Sequence, residues 1–306
     1  MPVAIPSDAI AHAVFAFADA NDVTARRMCR VPTLHETSLD QTFIEQLSRH
    51  SGPVQVGSGW VVTIETHNLG SGRHFGTWEI ADIGVLVAVR HEGRLRLSKA
   101  AMLQSKRLYP VELALDEAEA HDYVRGIFRL WKSDEEAIEA SRPRVFTFTG
   151  ESEYKQLLAG DEQVLRIREF EQSRGAPVHY LLYNPAEMGW VQHFPIHLTG
   201  PEPASNTAGC RVVDAASIRT HLTALRAGQS ATFDGIQSGL PPPYDRRPAR
   251  GGWRVEAFVE RVLRCQDGYV MEDGGGRIAS ALFGQRTGPI SAAIAITFDA
   301  PGGAGE

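Results

Sequence analysis

Three side chains between residues 80 and 110 have the types and spacing for phosphodiester chemistry. Asp82 interrupts an otherwise apolar run, Ile80 to Val89, and Gln104 and Lys106 stand two residues apart at the end of the next extended segment. Side chains two apart in a strand share a face, so Gln104 and Lys106 project together while Ser105 points away. A hairpin between the two segments brings Asp82 within reach of both. Phosphodiester hydrolysis needs a hard cation on oxygen ligands, a water made nucleophilic beside it, and positive charge near the phosphate. Asp82, the Gln104 carbonyl oxygen and the main-chain carbonyl of Ser105 form such a ligand set for Mg²⁺ or Mn²⁺. Lys106 then orients or deprotonates the attacking water. The competing reading is local: Asp82 caps or ion-pairs nearby, and Lys106-Arg107 is a solvated strand end. A buried carboxylate without a partner is expensive, which favours a paired or metal-bound Asp82.

The elements that must position these groups follow from periodicity. Ser7 is placed to cap a helix running to Ala18, and Ser38 with Gln41 makes a capping box for a second helix ending near Arg49, with Leu39, Phe43, Ile44 and Leu47 on one stripe. Trp60 to Thr66 reads as strand 1, Trp78 to Val89 as strand 2 and the most buried, and Ala100 to Lys106 as strand 3. With a turn at His91-Glu92-Gly93 the three predict an antiparallel meander. Helical spacing follows over Asp116 to Trp131, then a short strand at Val145 to Thr149, helices near Tyr154 to Leu158 and Val164 to Glu171, and a strand at Val178 to Tyr183. Ser238 to Gly252 is Pro-, Gly- and Arg-rich loop, and Trp253 to Arg264 is an amphipathic helix.

On Asp82, Gln104-Ser105-Lys106 and this α-β-β-β-α-β order, the segment Ser38 to Pro185 resembles the PD-(D/E)XK superfamily, particularly the Mrr-like branch with Gln before X-Lys. The resemblance implies an α/β fold: a restriction-endonuclease-like core with a mixed central sheet flanked by helices, over residues 1–200. Residues 201–306 are then a C-terminal extension serving accessory, sensing or dimerisation roles. It also implies a metal-dependent endonuclease acting on nucleic acid, DNA foremost, in restriction or phage defence, commonly as a homodimer with a defence-system partner protein. Similar families carry a Glu on the preceding helix; Glu36 is preferred here, with Glu45 as the alternative. Glu79 joins the site only if a bulge turns it to the Asp82 face. This chain departs from the pattern in having no Pro before Asp82 and a neutral Gln104, which lowers metal affinity. Two other readings stay open. One is a nucleic-acid-binding module of the same fold without catalysis. The other is a scaffold contacting a protein through aromatic loops near Tyr183, Trp190 and Phe194.

Basic residues Arg73, Lys99 and Arg107, with Arg90, Arg94 and Arg96, cluster near these strands and are placed to hold a phosphate backbone, or form an ordinary charged hairpin. Arg246, Arg247, Arg250 and Arg254, interleaved with Tyr244 and Trp253, form a second basic stretch that reads foremost as a linker. Glu65 and His67 share a face of strand 1 and read as a surface pair. His193 and His197 have metal-pair spacing broken by Pro195. Gly57-Ser-Gly59 lacks a nucleophile elbow's flanks, and Gly274-Gly-Gly276 precedes no Lys-Ser/Thr pair.

Composition sets the frame. With 43% hydrophobic and 22% charged residues the chain has ordinary globular usage, excluding a fibrous or wholly disordered protein. A formal charge of −6 excludes a protein basic all over, though not a local basic groove. Cys29, Cys210 and Cys265 stand too far apart for a CxxC or a disulfide framework. No apolar run has the length to span a bilayer and Met1 to Asn21 lacks a signal-peptide pattern, so a soluble, cytoplasmic protein with no membrane partner is expected.

Overall fold

A mixed sheet forms the centre, and helices cover both faces. The structure, a computed structural model, describes residues 4–31, 34–68, 80–113, 144–185, 191–194, 208–239, 252–271 and 290–302. The expected helix Asp116 to Trp131, Glu79 and Arg73 lie outside the described residues, as do His197, Trp190 and the basic stretch around Arg246.

Helix α1 (Ser7–Arg30) extends well past Ala18. The Ala-rich stripe Ala9, Ala13, Ala16 and Ala20 continues through Thr24 and Met28 at helical spacing, with all of these positions buried. Pro6, not Ser7, is its N-cap residue. Helix α2 (Glu36–Ser48) begins two residues before Ser38, from His35, with no side-chain cap bond. The capping box is therefore not formed, and Glu36 becomes the first helical residue.

The order across the main sheet is β1 (Gly52–Gln55), β2 (Val61–Asn68), β14 (Ile290–Asp299), β3 (Ala81–His91), β4 (Arg94–Arg107), β8 (Val178–Pro185), β10 (Ala208–Asp214) and β12 (Trp253–Arg254), with β13 (Tyr269–Val270) also paired to β4. The β3–β4 hairpin forms as expected. His91 pairs with Arg94, and Glu92 and Gly93 turn the chain at φ 52° and 71°, the left-handed pair of a type I′ turn. The meander does not: β14 lies between β2 and β3, antiparallel to the first and parallel to the second. Its alternating Ile294, Ile296 and Phe298 fill the helix-covered face that Val62, Ile64 and Val85 also supply. The sheet thus draws strands from both sides of residue 200.

Alternation on β8 explains the layered core. Leu181 and Tyr183 pack toward α1, α2 and α6 (Val255–Leu263), while Val178, Tyr180 and Leu182 pack toward α3 (Glu162–Arg174) and α4 (Ala215–Thr223). All eight β8 residues are buried, so this strand, rather than β3, is the fully enclosed one. Trp253 and Arg254 belong to β12, and the amphipathic helix starts after them at Val255. Tyr154 to Leu158, expected as helix, is strand β7 (Glu153–Leu158) paired with β11 (Ser230–Thr232); a short mixed run carries too little periodicity to separate the two states. Helix α5 (Phe233–Gly239) follows β11, and β5 (Val111–Leu113), β6 (Arg144–Thr147) and β9 (Val191–Phe194) make a small antiparallel sheet.

Asn21 locks α1 onto this frame. Its Oδ1 accepts from the Cys210 N–H at 2.7 Å and its Nδ2 donates to Glu256 Oε2 at 2.8 Å. Gly209, at φ +115°, permits the approach, since a Cβ there would lie 2.3 Å from Asn21 Oδ1. No helix among the described residues is long and apolar enough to cross a membrane.

Candidate active site

The start of β3 and the end of β4 lie side by side, because Ile83 pairs with Leu103 in the antiparallel register. That register sets Asp82 opposite Gln104. The Gln104 amide nitrogen donates to Asp82 Oδ2, and the Ser105 N–H donates to the same oxygen at 2.7 Å. Lys106 Nζ lies 3.7 Å from Glu36 Oε1, at the N-terminal turn of α2. The structure therefore brings together Asp82, Gln104, Lys106 and Glu36. Glu45, the alternative helix acid, lines the same cleft but sits farther along α2, where its Oε1 accepts from Gln41 at 3.0 Å.

The side chain of Ser105 does point to the other face of the sheet, where it finds a group the sequence reading missed. Its Oγ donates to Asp40 Oδ1 at 2.5 Å, and the Tyr183 hydroxyl from β8 donates to the same oxygen at 2.5 Å. Asp40 stands one helical turn after Glu36, on the same face of α2. This i,i+4 acid pair was the available signal; within a helix that also carries Glu45 and Gln41 it reads as an ordinary solvated face.

Charge is unbalanced here. Glu36, Asp40 and Asp82 all lie near the buried Lys106, whose charge acts on both aspartates. Burial pushes Asp40 up to about 7, with the neighbouring Glu36 adding to the rise against the two hydroxyl donors. Burial, and next the Asp40 charge, hold Asp82 well above the usual carboxylate range despite Lys106. Three buried oxygens in this region have no hydrogen-bond partner: Gln104 Oε1, Glu36 Oε2 and Ser291 Oγ. All three belong to residues lining a cleft of about 990 Å³. Its opposite wall carries Lys155, Gln156 and Asp161 from β7 and the start of α3, and Ser291 and Ala292 come from β14.

A divalent cation fits this chemistry. Hard oxygen donors are present as carboxylates and an orphaned amide oxygen, and excess negative charge calls for a counter-charge. Among the described residues no three His, Cys, Asp or Glu side chains converge on one metal-sized point, so other oxygens, such as the Gln104 amide or the Ser105 main-chain carbonyl, would have to complete any such set. Ser105 contributes its N–H to Asp82, and its register partner on β8 is Leu181.

The expected phosphate contacts are corrected. Lys99 is 1% exposed, and its Nζ donates to the carbonyls of Val262 and Asp267 at 2.6 Å each, satisfying backbone at the end of α6. Arg107 is also 1% exposed; it donates to the Val31 carbonyl at 3.2 Å and lies over the Tyr109 ring. A basic residue in a strand looks solvated in sequence, but both stems here cross the core to reach carbonyls. Glu65 and His67 form an exposed 3.9 Å pair on β2, as read. Ser58 of the Gly-Ser-Gly turn gives its N–H to Asp8 Oδ2 at 2.6 Å. All three cysteines are free. Comparison with protein-family models, curated proteins and solved structures found no match to this chain.

Proposed function

We propose that this chain is a metal-dependent nuclease of the restriction-endonuclease-like type, hydrolysing phosphodiester bonds of nucleic acid, DNA foremost. The observation that carries the reading is the convergence of Asp82, Gln104, Lys106 and Glu36 on one cleft, with Gln104 Oε1 and Glu36 Oε2 lacking partners. Asp82, Gln104 and Glu36 are the residues that would hold Mg²⁺ or Mn²⁺. When bound, such an ion supplies Lewis-acid polarisation of the phosphate and a water of lowered pKa. Lys106 orients that water through its ammonium donors, and its charge opposes the negative charge that grows on the phosphate oxygens. Glu36, beside it, fixes where the ammonium sits.

Action as a homodimer and a role in defence against phage with a partner protein belong to the same proposal and rest on the sequence resemblance alone, while a cytoplasmic setting rests on the sequence reading of its apolar runs.

The test incubates the purified protein with plasmid DNA, single-stranded DNA and RNA in Mg²⁺ or Mn²⁺, beside Lys106→Ala and Asp82→Ala variants verified by circular dichroism. Cleavage by the parent and by neither variant is expected. Cleavage surviving both substitutions overturns the site assignment. A second reading, binding without catalysis, is favoured by one specific observation: neutral Gln104 spends its amide on Asp82, leaving the pair with little net charge to hold an ion. Binding without cleavage in every metal tested would select it.

A further inference from the structure

Beside the cleft runs a second groove, between α1 and α2. The two helices form a hairpin: α1 ends at Arg30 and α2 starts at Glu36. At the other end Asp19 of α1 accepts from Gln46 Nε2 at 2.6 Å and meets His50 Nε2 at 2.7 Å. The groove encloses about 680 Å³, and its lining includes Arg26, Arg27 and Arg30 of α1 and Arg49 at the end of α2, against one acid, Glu45. Gln41 and Glu45 line both this groove and the catalytic cleft, so the two lie next to each other across α2.

Asp19 beside Arg26 and Glu45 in the lining offset part of this charge, while the exposed Arg27 and Arg49 add positive charge to the same surface in a chain whose formal charge is −6. Helix dipoles account for part of it, since Arg27 and Arg30 lie in the last turn of α1 and Arg49 follows α2. They do not account for its gathering on one concave surface. The carboxyl ends of two antiparallel helices lie at opposite ends of the hairpin, yet Arg49 and the α1 arginines line the same groove. Guanidinium groups spaced at i, i+3 and i+4 along a groove suit a linear polyanion, whose phosphates repeat every few ångströms.

We propose that this groove binds the phosphodiester backbone of nucleic acid and leads it to the catalytic cleft. The destination rests on the nuclease reading; the binding does not. The surface replaces Lys99 and Arg107 as the electrostatic contact to substrate.

The experiment measures anisotropy of a fluorescein-labelled duplex and of its single strand in EDTA, over a series of salt concentrations, with full-length protein. The groove variant Arg27→Gln/Arg49→Gln changes two exposed side chains. Arg94→Gln/Arg96→Gln, at the far tip of the β3–β4 hairpin, is its charge-matched control. The groove variant is expected to bind about tenfold more weakly than the parent near 0.1 M salt, with the slope of log affinity against log salt reduced by about two. The control should bind like the parent. Equal binding by groove variant and parent, an equal loss in the control, or no binding by the parent overturns the inference. Cleavage in Mg²⁺ or Mn²⁺ is scored separately. A groove variant that binds and cleaves like the parent sinks this proposal and leaves the nuclease reading standing; groove-dependent binding without cleavage does the reverse.

Discussion

The Ser105 N–H donates to Asp82 Oδ2 at 2.7 Å, which fastens the carboxylate of one hairpin arm to the strand that bears Gln104 and Lys106. Asp82 is thereby held by β4 as much as by its own strand, and Asp82, Gln104 and Lys106 share one rigid reference, the hairpin. Rigidity of this kind is what a pre-arranged catalytic constellation requires.

Asp40 and Asp82 make stability fall as pH rises. Both carboxyls are raised by burial, Asp40 to about 7 from a usual 3.8. A raised acid keeps its proton in the folded state while the unfolded chain has lost it, so its contribution is full below about pH 4 and gone above about pH 7. In EDTA the urea midpoint is expected to drop between about pH 5.5 and about pH 7.5, and Asp40→Asn should flatten that drop. A pH-independent midpoint in the parent would show that these acids ionise as freely in the fold as outside it.

Cation binding should displace those protons. Mg²⁺ or Mn²⁺ is expected to raise the melting temperature, by an amount equivalent to about 2.7 kcal/mol at a hundred times its dissociation constant, with affinity increasing from pH 6 to about pH 8. Calorimetry in two buffers of different ionisation enthalpy measures the released protons. Asp82→Asn should abolish the shift, and an unchanged shift in that variant would move the metal elsewhere.

Tyr183→Phe removes one of two hydroxyl donors to a buried carboxyl and keeps the ring. A loss of about 1–2 kcal/mol is expected from denaturant unfolding, because hydrogen bonds to an ionisable acceptor lie at the strong end of the range. Its pH window should move upward, since Asp40 then has less to stabilise its charge. Ser105→Ala should act in the same direction.

Lys99→Met tests the corrected role of that residue. Loss of its two bonds leaves the Val262 and Asp267 carbonyls short of a donor, so a destabilisation of about 2–3 kcal/mol is expected. Nucleic-acid affinity of the folded variant should equal that of the parent by anisotropy, and a large fall would restore Lys99 as a phosphate contact.

What could be read from sequence was local. Asp82, Gln104 and Lys106 are joined by one tight hairpin whose turn residues, Glu92 and Gly93, announce it, so their meeting follows from period-two geometry. Glu36 could be placed only through the family resemblance, because it joins Lys106 from a separate helix. Asp40 escaped because acids are expected on a helix's solvent side, and only the hydroxyls of Ser105 and Tyr183 reveal that this one faces inward. The position of β14 had no local signal at all: strand order depends on which apolar faces compete for the same neighbour, and Ile290 pairs with Ala81 across most of the chain.

That distant strand also governs when the cleft wall can be completed. During translation β2 and β3 emerge early but have no common partner until Ile290–Asp299 has left the ribosome, and Ser291 and Ala292 supply part of the cleft wall. The nascent polypeptide therefore lacks that part of the cleft wall until this strand arrives. Closing so distant a strand pair is slow compared with forming a hairpin, which leaves the unfinished sheet edge a natural client for a chaperone.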